Sequence, residues 1–182
     1  MGNMNYAEHF DPEGSVRENF NTLGYGVLRN FVSRETCTLL ADEAKKAHSD
    51  GNTHHDSQCP PSHTFRDLDV HTRFHNELTP IVSAIIGDEI YRTYNLGRIY
   101  IPGDFLPVHT DKAACEVSAT VTLECDRLWP IWFSPLTLDK KISLDLDTGD
   151  CALYKGPDIP HWREELKGSS NHIQLFFHWM RS

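Results

Sequence analysis

No apolar run in this sequence approaches the ~18 residues that a membrane-spanning helix needs. The first ten residues, MGNMNYAEHF, lack the basic and apolar regions of a secretory signal, so a cytoplasmic protein without a membrane partner is expected. Met1-Gly2 opens like a myristoylation site, but Tyr6 stands where Ser or Thr is required. Basic charge is scarce. Against 26 Asp+Glu there are 17 Lys+Arg, a net charge of −9 with histidine neutral, which disfavours a general nucleic-acid surface. The five cysteines include no C-x-x-C pair, and an odd count without a leader argues for reduced thiols. There is also no G-x-S-x-G elbow, no G-x-x-x-x-G-K-[ST] phosphate loop and no H-E-x-x-H. Serine-hydrolase, P-loop and zincin chemistries are thereby set aside.

What is present fits one globular domain over residues 1–182, with 39% hydrophobic and 24% charged residues. Histidine is abundant: there are eleven, six of them between His48 and His75. The chain changes character once. Over about 12–87 it reads as supporting helices and loops, and over about 89–182 as short strands broken by turns. Helices are predicted at 12–22, at 34–48 with Ser33 as its cap, and from Thr79-Pro80 to Gly87. A short strand is predicted at 25–29 and a polar, proline-bearing loop at 50–64. Later strands are predicted at 89–101, 116–124, 129–133, 142–146, 151–155 and 172–179. This is an α+β, mainly β chain with helices packed on one sheet.

The constellation with the most chemistry is His109-Thr110-Asp111 together with His161. Residues i and i+2 of an extended strand share a face, so His109 and Asp111 can reach one ion. His161 follows a second strand, CALYKG, which a folded-back sheet can bring beside them. Two imidazoles and one carboxylate on one face of an octahedron leave three positions open, the facial triad of non-haem Fe(II) oxygenases. Pro102-Gly103 turns the chain before the pair, and Gly149-Asp150 turns it before the strand leading to His161.

The run G-R-I-Y-I-P-G-D-F-L-P-V-H-T-D over 97–111 resembles the prolyl 4-hydroxylase-like branch of the Fe(II)/2-oxoglutarate-dependent oxygenases. So do G-D-C-A-L-Y-K-G-P-D-I-P-H over 149–161, the closing N-H-I-Q-L-F-F-H-W over 171–179, and the lead-in G-Y-G-V-L-R-N-F-V-S-R-E-T-C from Gly24. The resemblance implies a double-stranded β-helix, a jelly-roll or cupin-like barrel. It implies iron on His109, Asp111 and His161. It implies a dioxygenase that takes Fe(II), 2-oxoglutarate and O₂, releases succinate, and hydroxylates an aliphatic C–H of an amino-acid or peptidyl, prolyl-like substrate. The partner expected is therefore a small molecule or peptide. Tyr100 matches the family's co-substrate tyrosine. The family's Arg or Lys about nine to eleven residues after the distal histidine is replaced here by Ser170, Asn171 and His172. His172, Arg163 and Arg98 are the candidates for pairing with the far carboxylate of 2-oxoglutarate, and Arg98 shares strand parity with Tyr100.

Other features read as structure first. Cys115 is a small core residue entering a strand. Thr120 and Thr122 are strand residues, one of which can line a pocket. The four tryptophans are core, with Trp162 the candidate for a substrate wall. His54, His55 and Asp56 lie in the polar loop, where neighbours diverge, which disfavours a metal site; the family resemblance implies that this region is a lid over the iron. His63, His71 and His75 are expected on a polar or helical surface, and His178 exposed or packed at the end of the chain. Two rivals stay open: a cupin-like metal enzyme that does not use 2-oxoglutarate, and a catalytically silent metal-binding sensor module.

Overall fold

The computed structural model describes residues 15–182. The expectation of no secretory leader, the incomplete myristoylation motif and residues 12–14 of the first expected helix all fall outside the described residues.

Three helices precede most of the sheet: α1 (Ser15–Thr22), α2 (Arg34–Ser49) and α3 (Asp69–Ile86). The cap of α2 forms as expected, with Ser33 Oγ accepting the Thr36 amide at 3.1 Å. Its buried stripe, Cys37, Leu40, Ala41, Ala44 and Ala47, recurs at helical spacing. Helix α3 corrects the sequence reading, because it starts at Asp69 and not at Thr79-Pro80. Pro80 lies inside it and costs a helical hydrogen bond. The helix continues because Phe74, Leu78, Val82, Ile85 and Ile86 present one buried stripe on both sides of the proline. His71 and His75 belong to that stripe and are fully buried, which overturns their expected surface position. His71 Nε2 donates to the Leu40 carbonyl at 2.9 Å, so part of its polarity is spent internally. Gly87, at φ +80°, closes the helix in the left-handed conformation that favours glycine.

The strands form two antiparallel sheets. The larger has the order β1 (Tyr25–Leu28), β8 (Cys151–Tyr154), β5 (Val117–Glu124), β10 (His172–Arg181), β3 (Ile90–Tyr100), β2 (His63–Arg66). The smaller runs β4 (Leu106–His109), β9 (His161–Arg163), β6 (Ile131–Phe133), β7 (Ile142–Leu144). Strands β2, β4 and β9 were not anticipated. They have three or four residues each, too few for alternation to show, and β4 carries Pro107.

Side-chain alternation along β10 separates two cores. Leu175, Phe177 and Trp179 join the cluster packed with α2 and α3. Phe176 joins Tyr100, Leu106 and Trp129, drawn from both sheets. Helices, large sheet and small sheet therefore make three layers, and the site lies between the two sheets.

Candidate metal centre

His109 ends β4 and His161 begins β9, and the two are directly paired in the ladder between those strands. Asp111 follows two residues later, where its amide donates to the Gly156 carbonyl at 2.9 Å. His109 Nε2 and His161 Nε2 each stand 3.6 Å from Asp111 Oδ1, and the imidazole centroids are 4.2 Å apart. The three ligand atoms all fall within 4.8 Å of one another. Each imidazole is oriented by its other nitrogen. His109 Nδ1 donates to the Pro107 carbonyl at 2.8 Å, and His161 Nδ1 to the Ile159 carbonyl at 2.9 Å. That ties back both Nδ1 atoms and turns both Nε2 atoms toward one carboxylate, the arrangement a divalent cation requires. Burial holds the pKa of His161 down to about 4, so it is a neutral donor at physiological pH. Burial alone would raise the Asp111 carboxyl, but contact with His109, the nearby His161 and His178 and the Ser118 hydroxyl hold it well below the usual carboxylate range.

A cavity of about 370 Å³ opens above these three residues. Arg66, Tyr94, Leu96 and Arg98 line one side, and Tyr154 and His178 close the inner wall. Arg98 is buried and already neutralised. Its Nε and Nη2 both reach Asp56 Oδ2, at 3.0 and 2.9 Å, and Nη2 also donates to Gln58 Oε1 at 2.7 Å. Asp56 further accepts from Thr64 Oγ1 and from the amides of Gln58 and Cys59. Segment 50–62 is therefore pinned as a rim of the cavity. His54, His55 and Asp56 diverge as expected: His54 bridges Thr64, His55 packs on His63 and Asp56 turns to Arg98.

Tyr100, Arg163 and His172 gather in a second, deeper cluster. His172 lies opposite Tyr100 in the β10–β3 ladder, and Arg163 stacks on Trp129 at 4.7 Å. His172 Nε2 donates to Gln174 Oε1 at 2.8 Å, because the amide end of Gln174 is turned to Thr120 Oγ1 at 2.6 Å. The remaining Nδ1 of His172 is a buried lone pair without a partner. Arg163 is different in kind. One nitrogen donates to the Trp129 carbonyl, while Nε and Nη2 are buried with no partner. Burial pulls its pKa down to about 10, which still leaves it charged at neutral pH.

Several expectations are settled by position. Trp162 is the strand neighbour of His161, stacks on Trp132 at 6.0 Å and is not among the residues lining the cavity above the three ligands. Thr120 and Thr122 are buried and bonded to Gln174, outside the cavity lining. Cys115 is buried, and all five cysteines are free thiols. Nothing in the sequence singles out Ser118, and His178, expected exposed or packed at the chain end, is buried against it. Their relation to Asp111 depends on strand register, which no local motif carries.

No protein-family model matches the chain, and no curated protein matches it. Solved structures do. A prolyl-4-hydroxylase from Pseudomonas putida matches at 14% identity over 92% of this chain and 98% of that one, with a TM-score of 0.75. The non-haem alpha-ketoglutarate-dependent epimerase SnoN of nogalamycin biosynthesis matches at 12% identity over 91% and 80%, with a TM-score of 0.78. HygX from Streptomyces hygroscopicus, solved with nickel and 2-oxoglutarate bound, matches at 12% over 90% and 85%, with a TM-score of 0.71. The chain thus has the double-stranded β-helix fold that these proteins share, as the sequence resemblance implied. No helix among the described residues is long and apolar enough to cross a membrane.

Proposed function

We propose that this protein is an Fe(II)/2-oxoglutarate-dependent dioxygenase. The observation that carries this reading is the convergence of His109, Asp111 and His161, with both Nδ1 atoms tied back so that both Nε2 atoms face the Asp111 carboxylate. Two imidazoles and one carboxylate suit Fe(II) and leave coordination positions open toward the cavity. With iron and 2-oxoglutarate bound, the site supplies O₂-driven decarboxylation to succinate coupled to oxidation of a substrate C–H. The structures matched in fold include enzymes that use alpha-ketoglutarate or hold 2-oxoglutarate.

The second cluster fits the far end of the co-substrate. Arg163 lies two residues beyond His161 on the same face of β9, about 6.6 Å deeper at ordinary strand rise. A five-carbon dicarboxylate spans a comparable distance. Of the three candidates, Arg98 is paired with Asp56 and His172 has spent its only N–H on Gln174. Arg163 alone offers two unused donors, in the geometry that binds a carboxylate through two parallel bonds. The Tyr100 phenol borders the same cluster. Arg163 thus fills the role usually held by the residue at 170–172. The substrate is an aliphatic amino-acid or peptidyl group entering past the 50–62 rim, and the outcome is hydroxylation.

The test is anaerobic. Fe(II) and then 2-oxoglutarate are titrated into the parent protein and the His109→Ala and Asp111→Ala variants. A weak visible charge-transfer band is expected in the parent and in neither variant. Iron binding in the parent without a band on adding 2-oxoglutarate would overturn the co-substrate assignment.

A further inference from the structure

Behind Asp111 lies a polar row that the metal site does not use directly. Ser118 on β5 faces Tyr154 on β8 to one side and His178 on β10 to the other, each as a direct ladder partner. Ser118 Oγ is 2.8 Å from Asp111 Oδ2, 2.9 Å from His178 Nδ1 and 3.3 Å from the Cys115 carbonyl. Asp111, Cys115 and His178 also lie within ligand reach of one another. The hydrogen bonds already made there argue for an orienting network in place of a second ion.

Proton counting fixes the direction of the chain. An ionised carboxylate only accepts, and a hydroxyl has one hydrogen. Ser118 Oγ stands 2.8 Å from Asp111 Oδ2 and 3.3 Å from the Cys115 carbonyl oxygen, so the carboxylate is its nearer acceptor. The Ser118 hydrogen therefore goes to Asp111 Oδ2. Its lone pair is left for His178, so His178 Nδ1 carries a proton and donates. The His178 imidazole is buried against the Tyr94 ring, centroids 4.7 Å apart, with no carboxylate in direct hydrogen-bond contact, and is neutral. Its Nε2 must then be an unprotonated acceptor. Among the described residues that nitrogen makes no hydrogen bond, it is not one of the buried unpartnered atoms, and the residue lines the cavity.

We propose that Ser118 and His178 are positioning residues: Ser118 holds Asp111 so that Oδ1 faces the metal, and the same chain locks His178 Nε2 as a hydrogen-bond acceptor in the substrate cavity. The inference rests on the metal-site reading for its first half; the second half stands on the apoprotein. An acceptor fixed there suits a substrate that carries an O–H or N–H donor close to the reacting carbon. A purely aliphatic group would leave that nitrogen desolvated and unpaired, which is unfavourable.

Two measurements test it. In the metal-free protein, long-range ¹H–¹⁵N correlation spectra, assigned by loss of the His178 signals in His178→Phe, should show Nδ1 protonated and Nε2 not. The opposite tautomer would overturn the proposal. Zn(II), a diamagnetic probe, is then titrated into the parent, Ser118→Ala and Ser118→Thr. Losing an outer hydrogen bond to a ligand costs about 10–100-fold in metal affinity, so Ser118→Ala should weaken Zn(II) binding by that factor. Ser118→Thr keeps the hydroxyl and should restore affinity, which excludes a general folding defect as the cause. Equal affinity in parent and Ser118→Ala would overturn the positioning role. Loss of Zn(II) binding in the parent itself would instead remove the metal site, and the tautomer would then be judged on the apoprotein spectra alone.

Discussion

Arg163 and His161 stand two residues apart on β9, so their side chains share one face of that strand. Two of the three Arg163 guanidinium nitrogens are buried without a partner. A charge in that condition destabilises the protein unless an anion joins it.

Replacing it should therefore separate stability from binding. Arg163→Met is expected to melt no lower than the parent when 2-oxoglutarate is absent. Added 2-oxoglutarate should raise the melting temperature of the parent, since a ligand that binds only the native state stabilises it, and should leave the variant unmoved. Each charge-assisted bond is worth about 1.5–3 kcal/mol, so affinity should fall at least about tenfold. Arg163→Lys should fall between, because an ammonium cannot make the paired contact. Parent-like 2-oxoglutarate affinity in Arg163→Met would return the role to Arg98 or His172.

Asp56 and Arg98 make the opposite case, a buried cation that already has its anion. Asp56→Ala would strand the Arg98 guanidinium, and breaking such a pair by removing one partner costs about 3–5 kcal/mol. Asp56 also ties down Thr64 and the amides of Gln58 and Cys59. The variant should lose stability in that range by chemical denaturation, and segment 50–62 should exchange its amide hydrogens faster. Unchanged exchange in that segment would mean that the rim is held by something else.

These contrasts mark what was legible in the sequence. His109 and Asp111 were readable because a two-residue spacing at a strand end is a local property, and the turns ahead of them and of His161 are marked by glycine. Parity likewise placed Arg98 and Tyr100 on one side of β3, and Arg98 Nη1 does approach Tyr100 Oη, at 3.3 Å. The choice among Arg98, Arg163 and His172 was not readable. It depends on which partners each side chain has already taken: Asp56, Gln58 and Trp129 are remote from those residues in the chain, and Gln174, though two residues from His172, is oriented by the distant Thr120. Helix α3 was missed over its first half because D-V-H-T-R-F-H-N-E looks polar, while His71 and His75 bury as if apolar.

That burial has a pH consequence. His75 packs against Phe177 and Trp179, with centroids 4.9 and 4.7 Å away, and neither ring nitrogen has a hydrogen-bond partner. Burial, with lesser contributions from Arg92 and His178, pulls its pKa down to about 2, whereas the unfolded chain protonates it near the ordinary value of 6.5. Between those values the unfolded state binds the extra proton. Stability is therefore complete above about pH 6.5 and falls as the pH drops, by up to about 1.4 kcal/mol per pH unit for this residue. His71, held at about 4 by burial, acts in the same direction over the upper part of that window. His75→Leu should show a shallower loss of stability than the parent between pH 6 and pH 4.5, measured by denaturant unfolding (roughly one proton's worth of slope). Parallel curves for the two proteins would show that His75 is protonated in the fold.

Gly156 is the residue through which backbone geometry reaches the metal site. Its carbonyl accepts the Asp111 amide, and it has no side chain where one would collide. A Cβ built there would lie 2.6 Å from Asp111 Oδ2, 2.6 Å from the Cys115 carbonyl oxygen and 2.7 Å from Ser118 Oγ. The Cys115 carbonyl is backbone and cannot swing aside, so residue 156 must shift, and the Asp111 amide bonded to it and the carboxylate beside it are displaced as well. Gly156→Ala should thus weaken Zn(II) or Fe(II) binding by the 10–100-fold typical of a disturbed ligand support. It should also break the Ser118 contact, so Ser118→Ala added to Gly156→Ala should cost less than Ser118→Ala alone. Additive losses in that double-mutant cycle, read by metal titration, would mean that glycine is required at 156 for a reason other than room for the Asp111 carboxylate.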